Sequence, residues 1–199
     1  SIKNAVALKP VLVISVAAGI NIQSIETWFG GRPAVVRVMP NTPALIGAGI
    51  SGLFANSQVT LDGRENAAQV MKAVGNIVWL QNESQLDLVT AVSGSGPAYF
   101  FYLMEAIERV AVSEGLDPTT ARTLTVETAI GAGRLALASS DSLAVLREQV
   151  TSPGGTTEAA INSLDESQVS KSVGRAVNAA KDRSEALSQL LGTEDRDKT

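Results

Sequence analysis

Beyond about Glu83 the chain offers no run of β-branched residues that could make a strand, while the stretch before it offers four. Val11-Leu12-Val13-Ile14-Ser15-Val16-Ala17 is apolar almost throughout and reads as a buried parallel strand. Ala34-Val35-Val36-Arg37-Val38 and Ile77-Val78-Trp79-Leu80 read as two more, and Gly49 to Ala55 as another weakened by glycine. Helical patterns lie between them, at Ile22 to Phe29 and over residues 62–74, where Ala67, Val70, Met71 and Val74 share one face. Strands alternating with helices predict an α/β unit with a mainly parallel sheet.

The remainder reads as helix only. Residues 97–114 form one long pattern ended by Gly115, and Asp117-Pro118-Thr119 opens the next, which runs to about Ala138. Residues 142–150, 157–165 and 167–190 complete this half. Its long helices are Ala-rich and apolar on more than one face, which calls for a covering partner. A homodimer through this half is expected, with a compact monomeric bundle as the alternative. The division expected is 1–83 for the α/β part, 84–190 for the helical part and 191–199 for a charged, disordered tail.

Composition removes several chemistries. With no cysteine and no histidine, disulfides, thiol nucleophiles, the usual zinc sites and the commonest acid–base catalyst are absent. No Asp/Glu cluster has metal-ligand spacing, so no metal is expected. The net charge is -4 and no basic block stands out, which argues against nucleic acid. No apolar run is long enough for a membrane span, and a cytoplasmic setting is the default.

One loop can do chemistry without those groups. Thr151-Ser152-Pro153-Gly154-Gly155-Thr156-Thr157 runs straight into a helical pattern with Ala160, Ile161 and Leu164 at helical spacing. Ser152 can cap, Pro153 lacks an N–H, and the glycine pair leaves main-chain amides uncovered. Amides at a helix start attract an anion, because the unpaired N–H groups and the helix dipole point the same way. A plain turn into a capped helix is the competing reading.

The front of the chain departs from a complete nucleotide-binding domain. No G-x-G-x-x-G occurs between residues 1 and 80, and Ser1 to Val6 looks like the end of a helix. An N-terminal piece of the first domain is therefore expected to be missing.

Three motifs, in order, resemble the pyrroline-5-carboxylate reductase family. They are Arg37-Val38-Met39-Pro40-Asn41-Thr42-Pro43-Ala44, Val92-Ser93-Gly94-Ser95-Gly96-Pro97-Ala98-Tyr99-Phe100, and Leu146 to Ala160 around the Ser152–Thr157 loop. The resemblance runs from about Val6 to Leu187. It implies a partial Rossmann-type NAD(P)-binding domain followed by a helical dimerisation domain. It also implies reduction of the C=N bond of 1-pyrroline-5-carboxylate to L-proline, with NADPH as hydride donor and NADH as the alternative. This piece alone is expected to be inactive. The imine can enter already protonated, so the lack of histidine is no obstacle.

Carried over residue by residue, the resemblance gives Thr157 the catalytic place, hydrogen-bonding the ring nitrogen. Ser152 and the amides of Gly154, Gly155 and Thr156 would hold the substrate carboxylate. Glu83 matches a substrate-binding position, with a solvated carboxylate near a helix start as the other reading. Ala7, Lys9, Pro10, Ala17, Ala18, Asn41 and Gln149 fall at cofactor positions. For Lys9 the alternative is surface charge, for Ala17 and Ala18 close helix–strand packing, for Asn41 a structural turn, and for Gln149 an exposed helix residue. Ser93 to Pro97 would shape the entry to the long helix. The family implies a homodimer, extended in some members to larger rings of dimers. Two rivals stand beside this reading. A hydroxyacid or ketoacid reductase would need a lysine or histidine acid, and no lysine occurs in the helical half before Lys171. A non-catalytic helical dimer is the other.

Overall fold

The computed structural model describes residues 11–193. The expected cofactor residues Ala7, Lys9 and Pro10 lie outside them, as do residues 194–199 of the expected tail. In chain order come strand β1 (Leu12–Ser15), helix α1 (Ile22–Phe29), strand β2 (Ala34–Met39), a 3-10 turn (Thr42–Ile46), strand β3 (Gly49–Ala55), helix α2 (Leu61–Lys72) and strand β4 (Gly75–Trp79). Helix α3 (Gln85–Val89), a π turn (Thr90–Gly94) and helices α4 (Gly96–Ser113), α5 (Pro118–Ala138), α6 (Leu143–Gln149), α7 (Thr156–Glu166) and α8 (Val169–Thr193) follow.

The described residues part into two compact units. The first holds those up to Pro97 together with those from Ala176 onward; the second holds Ala98–Arg175. The compact units thus part later than residue 83, where strand patterns stop. The cause is local: α3 and the π turn form on the sheet, and a Cβ on Gly52 of β3 would stand 2.8 Å from Val89. The end of α8 belongs to the first unit as well, where the Ser184 hydroxyl donates to Asp87 Oδ1 at 2.7 Å. Helical backbone continues to Thr193, past the point where the tail was expected to begin.

In the first unit the four strands lie in the order β1-β2-β3-β4. β1 pairs parallel with β2, and β3 parallel with β4, but β2 and β3 are antiparallel. Two of the three pairings are parallel, as expected of a mainly parallel sheet, and the middle one makes the sheet mixed. Only the short 3-10 turn joins β2 to β3, and a parallel return needs a longer crossover. Alternation along the strands splits the core between two faces. Val36, Val38, Leu53 and Ala55 meet Ala67 and Met71 of α2, with Leu12 and Ile14 packed against them. Val35 meets Ile22 and Ile25 of α1 on the other face, joined by Val13, Trp28 and Phe54. Each fully buried Val or Ile contributes roughly 1.5–3 kcal/mol of apolar transfer. β1 is shorter than its apolar run and only half-buried, and among the described residues it pairs on one side only, with β2.

The second unit is helical. Asp117 caps α5 by accepting from the Thr120 N–H at 3.1 Å, and Ser142 caps α6 by accepting from Val145 N at 3.3 Å. Its helices bury little: Phe100, Phe101 and Tyr102 are 64%, 64% and 77% exposed, against almost complete burial of Val35 and Leu53 in the sheet.

Candidate functional site

The helix-start loop lies in the second unit. α7 begins at Thr156, with Gly155 as N-cap and no side chain capping the first turn. Ser152, the residue of capping type, does not cap. Its carbonyl instead accepts from Gly155 N at 3.0 Å, closing a turn that separates the Ser152 side chain from the helix. The turn depends on Gly154, whose φ of 72° lies in the left-handed region that glycine enters without strain. Gly155 admits no side chain either, since a Cβ would stand 2.9 Å from the Ser152 carbonyl.

Two amides expected to face a ligand are thereby engaged. Gly154 N donates to Glu158 Oε2 at 2.8 Å, and Gly155 N donates to Ser152. The Gly155 carbonyl takes the first helical bond, from Ala159 N at 3.2 Å. The amides of Thr156, Thr157 and Glu158 remain without a partner among the described residues, as do the Thr156 and Thr157 hydroxyls. Half-buried Thr157 therefore presents a hydroxyl beside the positive end of an uncapped helix. That arrangement can hold a carboxylate and donate to, or accept from, one adjacent polar atom. Glu158 was not among the expected residues. The three-residue spacing from cap to acidic side chain is the signal that finds it.

A second cluster lies in the first unit, at the carboxyl ends of β1 and β2, where α/β sheets bind ligands. Ala17 and Ala18 are exposed in the turn after β1. Two of the three motifs meet beside it: a Cβ on Gly94 would stand 2.7 Å from Met39 Cε, so glycine there lets the π turn close on the end of β2. Asn41 is committed to the fold, its Oδ1 accepting from Ile50 N at 3.0 Å. Glu83 Oε1 accepts from Ile22 N and from Arg37 Nη1, both at 2.7 Å. Glu83 is thus a half-buried carboxylate at a helix start, and not isolated; it sits on the first amide of α1 in an ion pair. Arg37 escaped the sequence reading, although a lone charge in an apolar strand signals a buried partner.

Gln149, expected beside the cofactor, donates from Nε2 to Asp141 Oδ2 at 3.0 Å in the second unit. An apolar groove of about 300 Å³ also lies in that unit, lined by Phe100, Leu103, Ile107, Leu124, Ala129 and Ala132. Among the described residues no group of three acidic side chains is placed to hold a metal ion, and no helix is long and apolar enough to cross a membrane.

Known proteins resemble the chain over nearly all of it. A family model for pyrroline-5-carboxylate reductase dimerisation matches residues 83–187. A pyrroline-5-carboxylate reductase of Pseudomonas aeruginosa is 52% identical over 187 residues, covering 94% of this chain and 68% of its own length. The structure of a pyrroline-5-carboxylate reductase from Coxiella burnetii superposes with a TM-score of 0.90 at 43% identity, covering 94% of this chain and 69% of that one. That of the Plasmodium falciparum pyrroline carboxylate reductase with NADP bound gives 0.86 at 31% identity, covering 94% and 73%. The chain therefore spans about two thirds of the length of these relatives.

Proposed function

Because the chain belongs to the pyrroline-5-carboxylate reductase family, we propose that it serves the reduction of 1-pyrroline-5-carboxylate to L-proline. NADPH, or NADH in its place, supplies a hydride to the ring C=N carbon when bound. The observation that carries the reading is the uncapped start of α7, where unpartnered amides adjoin the Thr157 hydroxyl. The carboxylate of the substrate has its counterpart in those amides, chiefly of Thr156 and Thr157, since Gly154 and Gly155 spend theirs inside the loop. Ser152 and the two glycines then act by shaping the turn. The Thr157 hydroxyl lies one residue further and suits the ring nitrogen. Holding the imine in place is the larger part of the catalysis, because position converts an encounter into an internal step.

The carboxyl ends of β1 and β2 suit a nicotinamide cofactor. Ala17 and Ala18 are small and exposed there, so a flat ring and its ribose can approach the backbone. Glu83 keeps Oε2 without a partner among the described residues, an acceptor held in place by the two bonds to Oε1. The resemblance gives Ala7, Lys9 and Pro10 cofactor places as well. Asn41 would support the cofactor loop through its bond to Ile50 N, and Gln149 would have to leave Asp141 to reach a cofactor.

The exposed apolar residues of α4 and α5 suit a second copy of the chain. A homodimer through 84–190 follows, from which rings of dimers can be built, in a cytoplasmic setting. Two measurements test the reading. In a protein of the relatives' full length, NADPH oxidation with 1-pyrroline-5-carboxylate should yield L-proline, and no turnover in a protein that binds both ligands would reject it. Light scattering should give at least a dimer; a monomer would reject the role given to the helical unit.

A further inference from the structure

Arg37 is the only charged residue of β2, and its side chain is 11% exposed. Strand alternation sets it on the face of Val35, the face that α1 covers. There Nη1 donates to Glu83 Oε1 at 2.7 Å, and the same oxygen accepts the Ile22 N–H at 2.7 Å. One carboxylate oxygen thus joins three segments: the end of β2, the first residue of α1 and the chain just ahead of α3. The turn after β1 ends two residues ahead of Ile22, where Ile20 N donates to the Ala17 carbonyl at 3.4 Å.

We infer that Arg37 is a positioning residue: acting through Glu83, it fixes the start of α1 and so the Ala17–Ile20 turn, and leaves Glu83 Oε2 aimed as an acceptor. The physical reason is the cost of a half-buried carboxylate. With the guanidinium beside it, the carboxylate is stable where it meets Ile22. Without that charge it gains by turning to water, and the helix start loses its acceptor. A packing role alone would need only the bulk of the side chain, not its charge. The importance of the turn rests on the reductase reading, but the clamp itself can be measured with no ligand present, so the two can fail separately.

The test is backbone hydrogen exchange on this chain and its variants, resolved at residues 17–22 and, as reference, in β2 and β3. In Arg37→Met, which keeps much of the bulk, the Ile22 amide and the turn should exchange roughly tenfold faster, the loss of one charge-assisted hydrogen bond. The sheet amides should hold their rates. Arg37→Lys restores the charge and should bring the turn back toward the parent rate. Equal turn exchange in Arg37→Met and the parent would overturn the inference, and so would an Arg37→Lys variant as fast as Arg37→Met. If Arg37→Met does not fold, Glu83→Gln weakens the charge pairing at constant size. It should also speed exchange of the turn; the parent rate there would overturn the inference.

Discussion

Five helix starts in this molecule divide into two kinds. At α1, α2, α5 and α6 a side chain folds back on the first turn: Asn21 accepts from Ser24 N, Thr60 from Gly63 N, Asp117 from Thr120 N and Ser142 from Val145 N. At α7 the cap is Gly155, and no side chain closes the turn. The first four spend their amides on stability. The last keeps the Thr156, Thr157 and Glu158 amides open and spends two glycines and a proline on the turn before them. A helix that gives up a cap worth typically about 1 kcal/mol does so at small cost where a ligand later takes that place.

The widest gap between the two kinds of start should appear at Thr157. Thr157→Ala removes a hydroxyl that bonds nothing in the described fold, so its cost should fall on catalysis. In a protein of the relatives' full length, turnover of 1-pyrroline-5-carboxylate should drop roughly hundredfold, the scale of losing one aligned polar contact in a reacting complex. The unfolding midpoint should barely move. Steady-state kinetics beside a melting curve decide this, and parent-like kcat would end the role of Thr157.

Backbone strain comes next. Gly154→Ala meets no atom within 4 Å, so its only penalty is a φ of 72°. That costs roughly 1–2 kcal/mol, and the turn should relax in response. KM for the substrate should rise severalfold while kcat changes less. Thr60→Ala is the control at a capped start. It should cost about 1 kcal/mol in chemical denaturation and leave KM alone. A Gly154→Ala variant that lost stability without any change in KM would make α7 an ordinary helix start.

Glu158 sharpens the comparison further. Its carboxylate holds the Gly154 amide and places a negative charge beside the proposed substrate-carboxylate site. Glu158→Gln keeps an acceptor for Gly154 and removes the charge. An anion near a helix start gains roughly 0.3–1 kcal/mol from the dipole, and relief from a competing charge is of that order. KM should fall about two- to fivefold, more at low ionic strength than at high. A higher KM would mean that Glu158 serves the loop chiefly through its charge.

Local features of this contrast were legible in the chain, and distant ones were not. β-branched runs mark the strands, and the Pro-Gly-Gly turn marks the start of α7, because each rests on neighbours in sequence. Reading Ser152 as the cap failed, because whether a serine caps depends on the φ of Gly154 two residues later. The Arg37–Glu83–Ile22 junction joins residues 46 and 61 positions apart, and no periodicity encodes it. The antiparallel pairing of β2 with β3 was hidden for a related reason: both strands are apolar on two faces, so their patterns carry no direction.

The smallest effect lies at the capped start of α5, and it has a sign. The hydrogen bond from the Thr120 side chain, followed by that from its backbone N–H, holds the Asp117 carboxyl below the usual aspartate range. A folded value below the unfolded one means that the unfolded chain binds the proton first. The cap's contribution is therefore fully present above the ordinary aspartate value and is lost as pH falls through the lower, folded one. Asp117→Asn retains a side-chain oxygen but cannot titrate. The midpoint difference between parent and variant should hold constant near neutral pH and shrink only in the acid range, where the parent's cap is neutralised. Because Asp117 is fully exposed, salt should reduce the difference at every pH. The N-cap of α7 is a glycine and shares no group with that of α5, so replacing Asp117 should leave the substrate's KM unchanged throughout. A KM that followed the Asp117 titration would mean that capped and uncapped starts are not independent.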